Sequence, residues 1–263
     1  MHYIWLIPLL PGVGALVNGL VGVRYFSRRT AGAVACTTMI AALGVSIVAF
    51  WQLLGLPAAG EIPERGRFRA RQHFLPNEFL AIYAGNLGVK QGLEILFDAA
   101  ELLRSEKDIR IVLAGDGAAR EFLEQELRAR NLTNVSMLPL QFGTDYTELL
   151  ADADVSLITQ QSDSGNAFFP SKLLITLAYS SPVVTVADEG SALARAIAEG
   201  QCGKNILPGQ PEQLANCLRA LSEDRQQLRT WGEAGRVYVE RFEQRRVLEK
   251  FLGELRSLRE KTQ

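Results

Sequence analysis

The chain has 263 residues, 48% of them apolar, and a formal net charge of −1, enough for one large domain or two small ones. With 28 basic against 29 acidic residues there is no basic stripe of the kind a nucleic-acid partner needs. Cys36, Cys202 and Cys217 are scattered, and His2 and His73 are the only histidines, so neither a disulfide framework nor a metal site is indicated.

The near-neutral total hides an asymmetry. Before Glu61 the only charged side chains are Arg24, Arg28 and Arg29, with no Asp, Glu or Lys. Ile4 to Gly22 and Ala31 to Leu56 carry no charge at all. Crossing a hydrocarbon core takes about 20 helical residues. Residues 1–56 therefore read as two transmembrane helices. Trp5, Tyr25 and Trp51 fall near the expected membrane surfaces. A cleaved secretory signal is the competing reading. Against it, no basic segment precedes the first run, and both runs exceed a usual signal core. Arg24, Arg28 and Arg29 favour one orientation, while Arg65, Arg67, Arg69 and Arg71 favour the opposite. The expected location is the inner membrane, with the soluble part in the cytoplasm.

Residues 57–77, with Pro57, Gly60, Pro63, Gly66 and Pro76 among alternating charges, read as a linker. From residue 78 to 263 strands and helices alternate. Strands are expected over Glu78 to Gly85, Asp108 to Ala114, Val135 to Leu138, Val155 to Thr159 and Val183 to Val186. Helices are expected over Lys90 to Arg104, Ala118 to Asn131, Tyr146 to Ala151, from Pro170 to the Ser180 turn, and Ser191 to Glu199. Asn205 and Ile206 lead into a Pro208-Gly209 turn. Further helices follow, with Trp231, Tyr238, Phe242 and Phe251 as packing anchors. This alternation implies an α/β domain with one parallel, Rossmann-like sheet. Ligands in such sheets lie beyond the carboxyl ends of the strands.

Three loops reach that end: Gly85-Asn86-Leu87-Gly88, Gly115-Asp116-Gly117 and Phe168-Phe169-Pro170-Ser171-Lys172. The first is not a dinucleotide fingerprint, because the third spaced glycine is missing, and no P-loop follows it. The second is explained equally well by a tight turn. In the third, Pro170 suits a first helical turn. Ser171 and Lys172 then stand where free backbone N–H groups and a positive helix end meet an anion. The bland alternative is one more αβ unit with Lys172 merely solvated.

Taken in order, the motifs carry a resemblance. They are Ala84-Gly85-Asn86-Leu87-Gly88, Lys90-Gln91-Gly92-Leu93-Glu94, Ala114-Gly115-Asp116-Gly117, Phe169-Pro170-Ser171-Lys172-Leu173, Pro182-Val183-Val184 and Gly190-Ser191-Ala192-Leu193-Ala194. From about Phe79 to Glu254 the chain resembles the carboxyl-terminal, donor-binding half of family-4 (group 1) glycosyltransferases, in the branch that makes surface polysaccharides such as colanic acid. That resemblance implies half of a two-domain GT-B fold, a nucleotide-diphospho-sugar as substrate, retaining transfer without a bound metal, and no cofactor. By position, Lys90, Ser171 and Lys172 would face the diphosphate. Gly85 and Asn86 would let the donor approach the backbone, and Gly115 and Asp116 are counted among the donor-binding residues. Leu138 to Gln141 would border the base, and the Asp188-Glu189-Gly190-Ser191 turn would approach the sugar. No catalytic residue is assigned. Two glutamates of that family would fall on Ala167 and Ile175 here, and Lys90 stands one place early. The acceptor half is replaced by the membrane segment, which implies a separate acceptor-domain partner.

The first 55 residues or so, from His2-Tyr3-Ile4-Trp5-Leu6-Ile7-Pro8 to Asn18-Gly19, resemble the start of subunit L of NADH-quinone oxidoreductase. That second resemblance supports an alternative, an inactive chimera of a respiratory segment and a truncated transferase.

Overall fold

The computed structural model describes residues 5–54, 62–162, 171–243 and 246–248, with the side chains of 49–54 left aside. The chain divides into two compact units, Met1–Gly60 and Glu61–Gln263.

The first unit is a helical hairpin. Helix α1 (Leu6–Val17) continues through a π-helical turn, Asn18–Gly22, into the short α2 (Val23–Tyr25). Ser27 then accepts from the Thr30 backbone N–H at 3.2 Å and opens α3 (Arg28–Leu54). The two arms run antiparallel. Asn18 donates from Nδ2 to the Ala31 carbonyl at 2.9 Å, and a Cβ on Gly14 would run into Thr38. Small residues let the backbones approach, as in helix pairs packed in lipid. Leu9, Leu16, Leu20, Met39, Ile40 and Leu43 are exposed outside this seam. Leu6–Tyr25 and Arg28–Val48 are long and apolar enough to cross a membrane.

The second unit opens with α4 (Arg67–Arg71), which lies inside the stretch read as a linker and buries Phe68 completely. Six strands follow: β1 (Phe79–Asn86), β2 (Ile109–Asp116), β3 (Val135–Leu138), β4 (Val155–Thr159), β5 (Val183–Val186) and β6 (Gly203–Ile206). They form one sheet in the order β3-β2-β1-β4-β5-β6, with every pairing parallel. Between them run α5 (Glu94–Leu102), α6 (Arg120–Ala129), α7 (Gly143–Asp152), α8 (Ser171–Ala178) and α9 (Ala192–Gly200); α10 (Pro211–Glu223) and α11 (Arg225–Val239) close the unit.

The central strands are apolar on both faces because both are covered. Phe79, Ala81 and Tyr83 of β1 pack with Leu96 and Phe97 of α5 and Leu214 and Leu218 of α10. On the other face Leu80 and Ile82 meet Phe68 and Leu149. Further along, Ile158 and Val183 meet Leu173, Leu177, Leu193 and Ile197. The α/β, Rossmann-like expectation holds. A helix from Lys90 does not: Val89–Gln91 is a single 3-10 turn, Gly92 sits at φ +58°, and α5 begins at Glu94. Asn205 and Ile206 belong to a sixth strand. Of the expected anchors, Tyr238 is buried and Trp231 partly so, Phe242 is 42% exposed with its ring 5.6 Å from that of Tyr238, and Phe251 lies outside the described residues.

Candidate donor-phosphate site

The strand order determines where a crevice can form. The chain moves outward from β1 through β2 to β3, then returns to the other side of β1 for β4, β5 and β6. The carboxyl ends of β1 and β4 therefore flank the switch point, where open parallel sheets hold ligands. Gly85 and Asn86 end β1, and their register partners Gly115 and Asp116 end β2. Helix α8, which follows β4, brings Lys172 to the same place.

Lys172 does not simply point into solvent. Leu173 and Leu177 anchor α8 in the core, and the Lys172 side chain lies over the end of β1. Its Nζ is 4.2 Å from the centre of the Tyr83 ring and donates to the Tyr83 hydroxyl at 3.0 Å. That hydroxyl in turn donates to the Asn86 carbonyl at 2.7 Å, so its lone pair is left for the ammonium. Gly85 makes the arrangement possible. Its φ is +133°, which side-chain-bearing residues rarely adopt, and a Cβ there would lie 3.2 Å from Lys172 Nζ. Gly115 faces Gly85 so closely that a Cβ on it would fall 1.9 Å from the Gly85 carbonyl oxygen. Burial lowers Lys172 to a pKa of about 8 and pushes the Tyr83 phenol well above its ordinary value. The site thus holds a cation with a neutral partner, and among the described residues no carboxylate pairs with it. A desolvated ammonium of this kind favours the arrival of an anion.

The other predicted residues are distributed around this centre. Asp116 accepts from the Gly117 backbone N–H at 2.8 Å and stabilises the loop after β2. Leu138 ends β3 opposite Ala114, and its carbonyl accepts from Arg120 Nη1 at 3.1 Å. The Gln141 amide donates to the Pro139 carbonyl at 2.7 Å. Lys90 is exposed in the 3-10 turn, and its backbone carbonyl accepts from Gln161 N–H at 3.0 Å. Ser171, also exposed, is the first residue of α8. Glu189 is exposed in the turn after β5, and Ser191, buried, caps α9 by accepting from Ala194 N–H at 3.0 Å. Phe168 to Pro170 and Ala167 lie outside the described residues. Gly85, Asn86, Gly115, Asp116 and Lys172 are thus brought together; Leu138 and Gln141 border one flank and Glu189 and Ser191 the other.

Two residues escaped the sequence reading. Tyr83 looked like one more apolar strand residue, although a phenol near the end of a buried strand needs a hydrogen-bond partner. Thr159, the last residue of β4, is 1% exposed, yet its hydroxyl has no partner. It stands two residues past Leu157, the register partner of Tyr83, and so borders the crevice. A buried orphan hydroxyl there suits a polar ligand.

The opposite end of the sheet is closed by ions. Two cavities of about 380 and 370 Å3 lie there, both lined by Arg65, Asp154 and Arg225. Their charges are already matched. Asp154, buried, accepts from Leu80 N–H at 2.9 Å, pairs with Arg69 at 2.6 Å and Arg65 at 3.0 Å, and also meets Arg225. This end staples α4 to β1 and β4. Lys172, which has no carboxylate partner among the described residues, and the glycine gap are both at the other end, which is the better candidate.

The chain is similar to known proteins in sequence and in fold. The family model for "Glycosyl transferases group 1" matches residues 64–238. A protein of Escherichia coli (strain K12) named as a colanic acid biosynthesis glycosyl transferase is 34% identical over 119 residues, 45% of this chain and 29% of its own length. A Bacillus subtilis (strain 168) protein named as the glycosyltransferase EpsD is 26% identical over 71% of this chain and 47% of its own. The chain thus spans less than half the length of either relative. Among solved structures, Anabaena HepE in complex with UDP has a TM-score of 0.62 at 21% identity, covering 73% of this chain and 52% of that one. The carboxyl-terminal domain of a group 1 glycosyl transferase from Francisella tularensis has a TM-score of 0.55 at 17% identity, covering 67% of this chain and 91% of that domain. The expected likeness of residues 1–55 to a respiratory subunit finds no support in these matches, and nor does the inactive-chimera reading built on it. With two thirds of its length inside the family model, and with the parallel sheet of that family's solved members, the chain belongs to the group 1 glycosyltransferases.

Proposed function

We propose that the chain binds a nucleotide-diphospho-sugar at the carboxyl end of β1, with the pyrophosphate against Lys172 and the first turn of α8. The observation that carries this reading is the Lys172 ammonium, held over the Gly85 gap at the switch point with no carboxylate partner among the described residues. The HepE relative, solved with UDP and with UDP-glucose, supports the ligand class. Asn86 and Asp116 border the same opening, Ser171 offers a hydroxyl and, as the first residue of α8, a backbone N–H without an intrahelical partner, and Thr159 has an unused hydroxyl. Lys90 contributes charge from the rim.

The reaction is retaining glycosyl transfer in the assembly of a surface polysaccharide, and this region supplies the donor side. The chain's share of its relatives' length agrees with that division. An acceptor hydroxyl must be held near the anomeric carbon, and such positioning contributes about 7–11 kcal/mol to a barrier. A second half, from a separate chain or from the rest of a longer protein, supplies it. The helical hairpin of the first unit anchors the protein in the inner membrane, with the donor domain in the cytoplasm.

Calorimetry on the full chain in detergent, with UDP-glucose, GDP-mannose and ADP-glucose, tests the reading. Binding of one of them, clearly weakened in Lys172→Ala, supports it. Binding of none, or binding that Lys172→Ala leaves unchanged, ends it.

A further inference from the structure

Lys172 is aimed by something outside its own helix. The described residues of α8 carry no other titratable side chain. Helix α11, packed against α8, meets it through Gly232 near Ser180 and Gly235 near Leu177, at the far end from Lys172. The charged side chains that α11 carries, Arg225, Arg229, Glu233 and Arg236, are exposed. From β1 the ammonium meets Tyr83 twice, through the ring face at 4.2 Å and the hydroxyl at 3.0 Å. The hydroxyl cannot turn away, because its own proton is committed to the Asn86 carbonyl at 2.7 Å. Its lone pair is therefore directed at Lys172, just below the gap that Gly85 leaves open.

We infer that Tyr83 is a positioning residue of this site, holding the Lys172 ammonium at the end of β1 so that it meets the donor's pyrophosphate already oriented. The inference rests on the donor-binding reading and adds a residue to it. Lysine has four rotatable bonds, and a side chain of that length loses freedom when it takes up one geometry. A ring below the ammonium and an acceptor beside it restrict that freedom before the ligand arrives, which favours binding. The same contacts oppose the effect of burial. They favour the charged form, whereas desolvation brings the group to a pKa of about 8. Without the hydroxyl the amine loses an acceptor, so it loses its proton at a lower pH.

The test is a double-mutant cycle read as a function of pH. Donor affinity of the full chain is measured by calorimetry at about pH 6.5 and 8.5 for wild type, Tyr83→Phe, Lys172→Ala and the double variant. Tyr83→Phe keeps the ring and removes only the hydroxyl. Its expected cost is about tenfold at the higher pH, the scale of a hydrogen bond to a charged group, and about threefold at the lower. In the Lys172→Ala background the same change should do nothing. Competitive amine labelling of Lys172 across pH, read by mass spectrometry, gives a ligand-independent check: its midpoint should fall in Tyr83→Phe. Equal losses with and without Lys172, or identical pH profiles and labelling in wild type and Tyr83→Phe, would overturn the inference and leave the donor site standing. If wild type binds none of the three sugar nucleotides, both fall together. Should Tyr83→Phe lower the melting temperature, the labelling midpoint at a temperature where it is folded still decides the question.

Discussion

Lys172 is where chemistry and stability pull in opposite directions. Its ordinary pKa of 10.5 falls to about 8 in the folded chain, because burial penalises the charged form. Between those two values the unfolded chain binds more protons than the folded one, so stability attributable to this group rises with pH across that window. Below about pH 8 the folded protein carries the full penalty of the buried charge. Lys172→Met should therefore stabilise the domain by about 1–2 kcal/mol at pH 7, a gain that shrinks by pH 9.5. Urea unfolding of both proteins at the two pH values measures it, and a gain independent of pH would contradict the account. The same variant should lose donor binding. Gly85→Ala acts through the backbone instead: φ is +133°, and the new Cβ would press on the ammonium. A loss of about 1–2 kcal/mol and displacement of Lys172 are expected, visible in its labelling rate. The sequence pointed to both residues, by their place at the ends of a strand and a helix. It was silent on Tyr83, because a one-dimensional pattern does not say which strand lies beneath a lysine 89 residues away.

At the scale of elements, the Asp154 cluster shows how a short segment becomes part of a domain. The charges around Arg65, Arg67, Arg69 and Arg71 alternate with Glu61 and Glu64 and read locally as a solvated stretch. In the fold Arg69 is 6% exposed, donates to the Glu78 and Asp152 carbonyls, and pairs with Asp154. Asp152 accepts from the Arg69 backbone N–H at 2.9 Å. Asp154→Ala would leave the Arg69 guanidinium buried without its partner, and should cost about 3–5 kcal/mol. Arg65→Ala, at a side chain 59% exposed, should cost under about 1 kcal/mol. Chemical denaturation distinguishes the two, and equal losses would mean that the cluster is not held by burial. Strands were easier to read than these ion pairs. Val135–Leu138, Val155–Thr159 and Val183–Val186 appear at their expected bounds. Buried parallel strands are branched apolar runs, a signal that needs no partner to be seen. Strand β6 lacks that signal: Gly203-Lys204-Asn205-Ile206 becomes a strand by pairing with Val183–Val186.

For the whole molecule, the two units differ in the surface they present. The first has two helices whose exposed sides are Leu, Ile, Val and Met, and its proposed role is an anchor. The expressed chain should remain in the membrane pellet after washes with 1 M salt and with alkaline carbonate, and be released by detergent; release by carbonate alone would contradict an anchor. The sequence by itself determined the class of each part, because hydrophobic length and strand–helix alternation are local properties of the chain. It also placed the glycine loops and the Ser171-Lys172 helix start at one end of a sheet, because parallel αβ units put every such loop on the same edge. Only the tertiary structure decided that β1 and β4 flank the switch point, that Lys172 lies on Tyr83 over Gly85, and that the opposite end is closed by Asp154. Those facts depend on strand order and on contacts across many residues of sequence. Burial, which sets both the strength of a charge and the cost of holding it, exists only once the chain has folded.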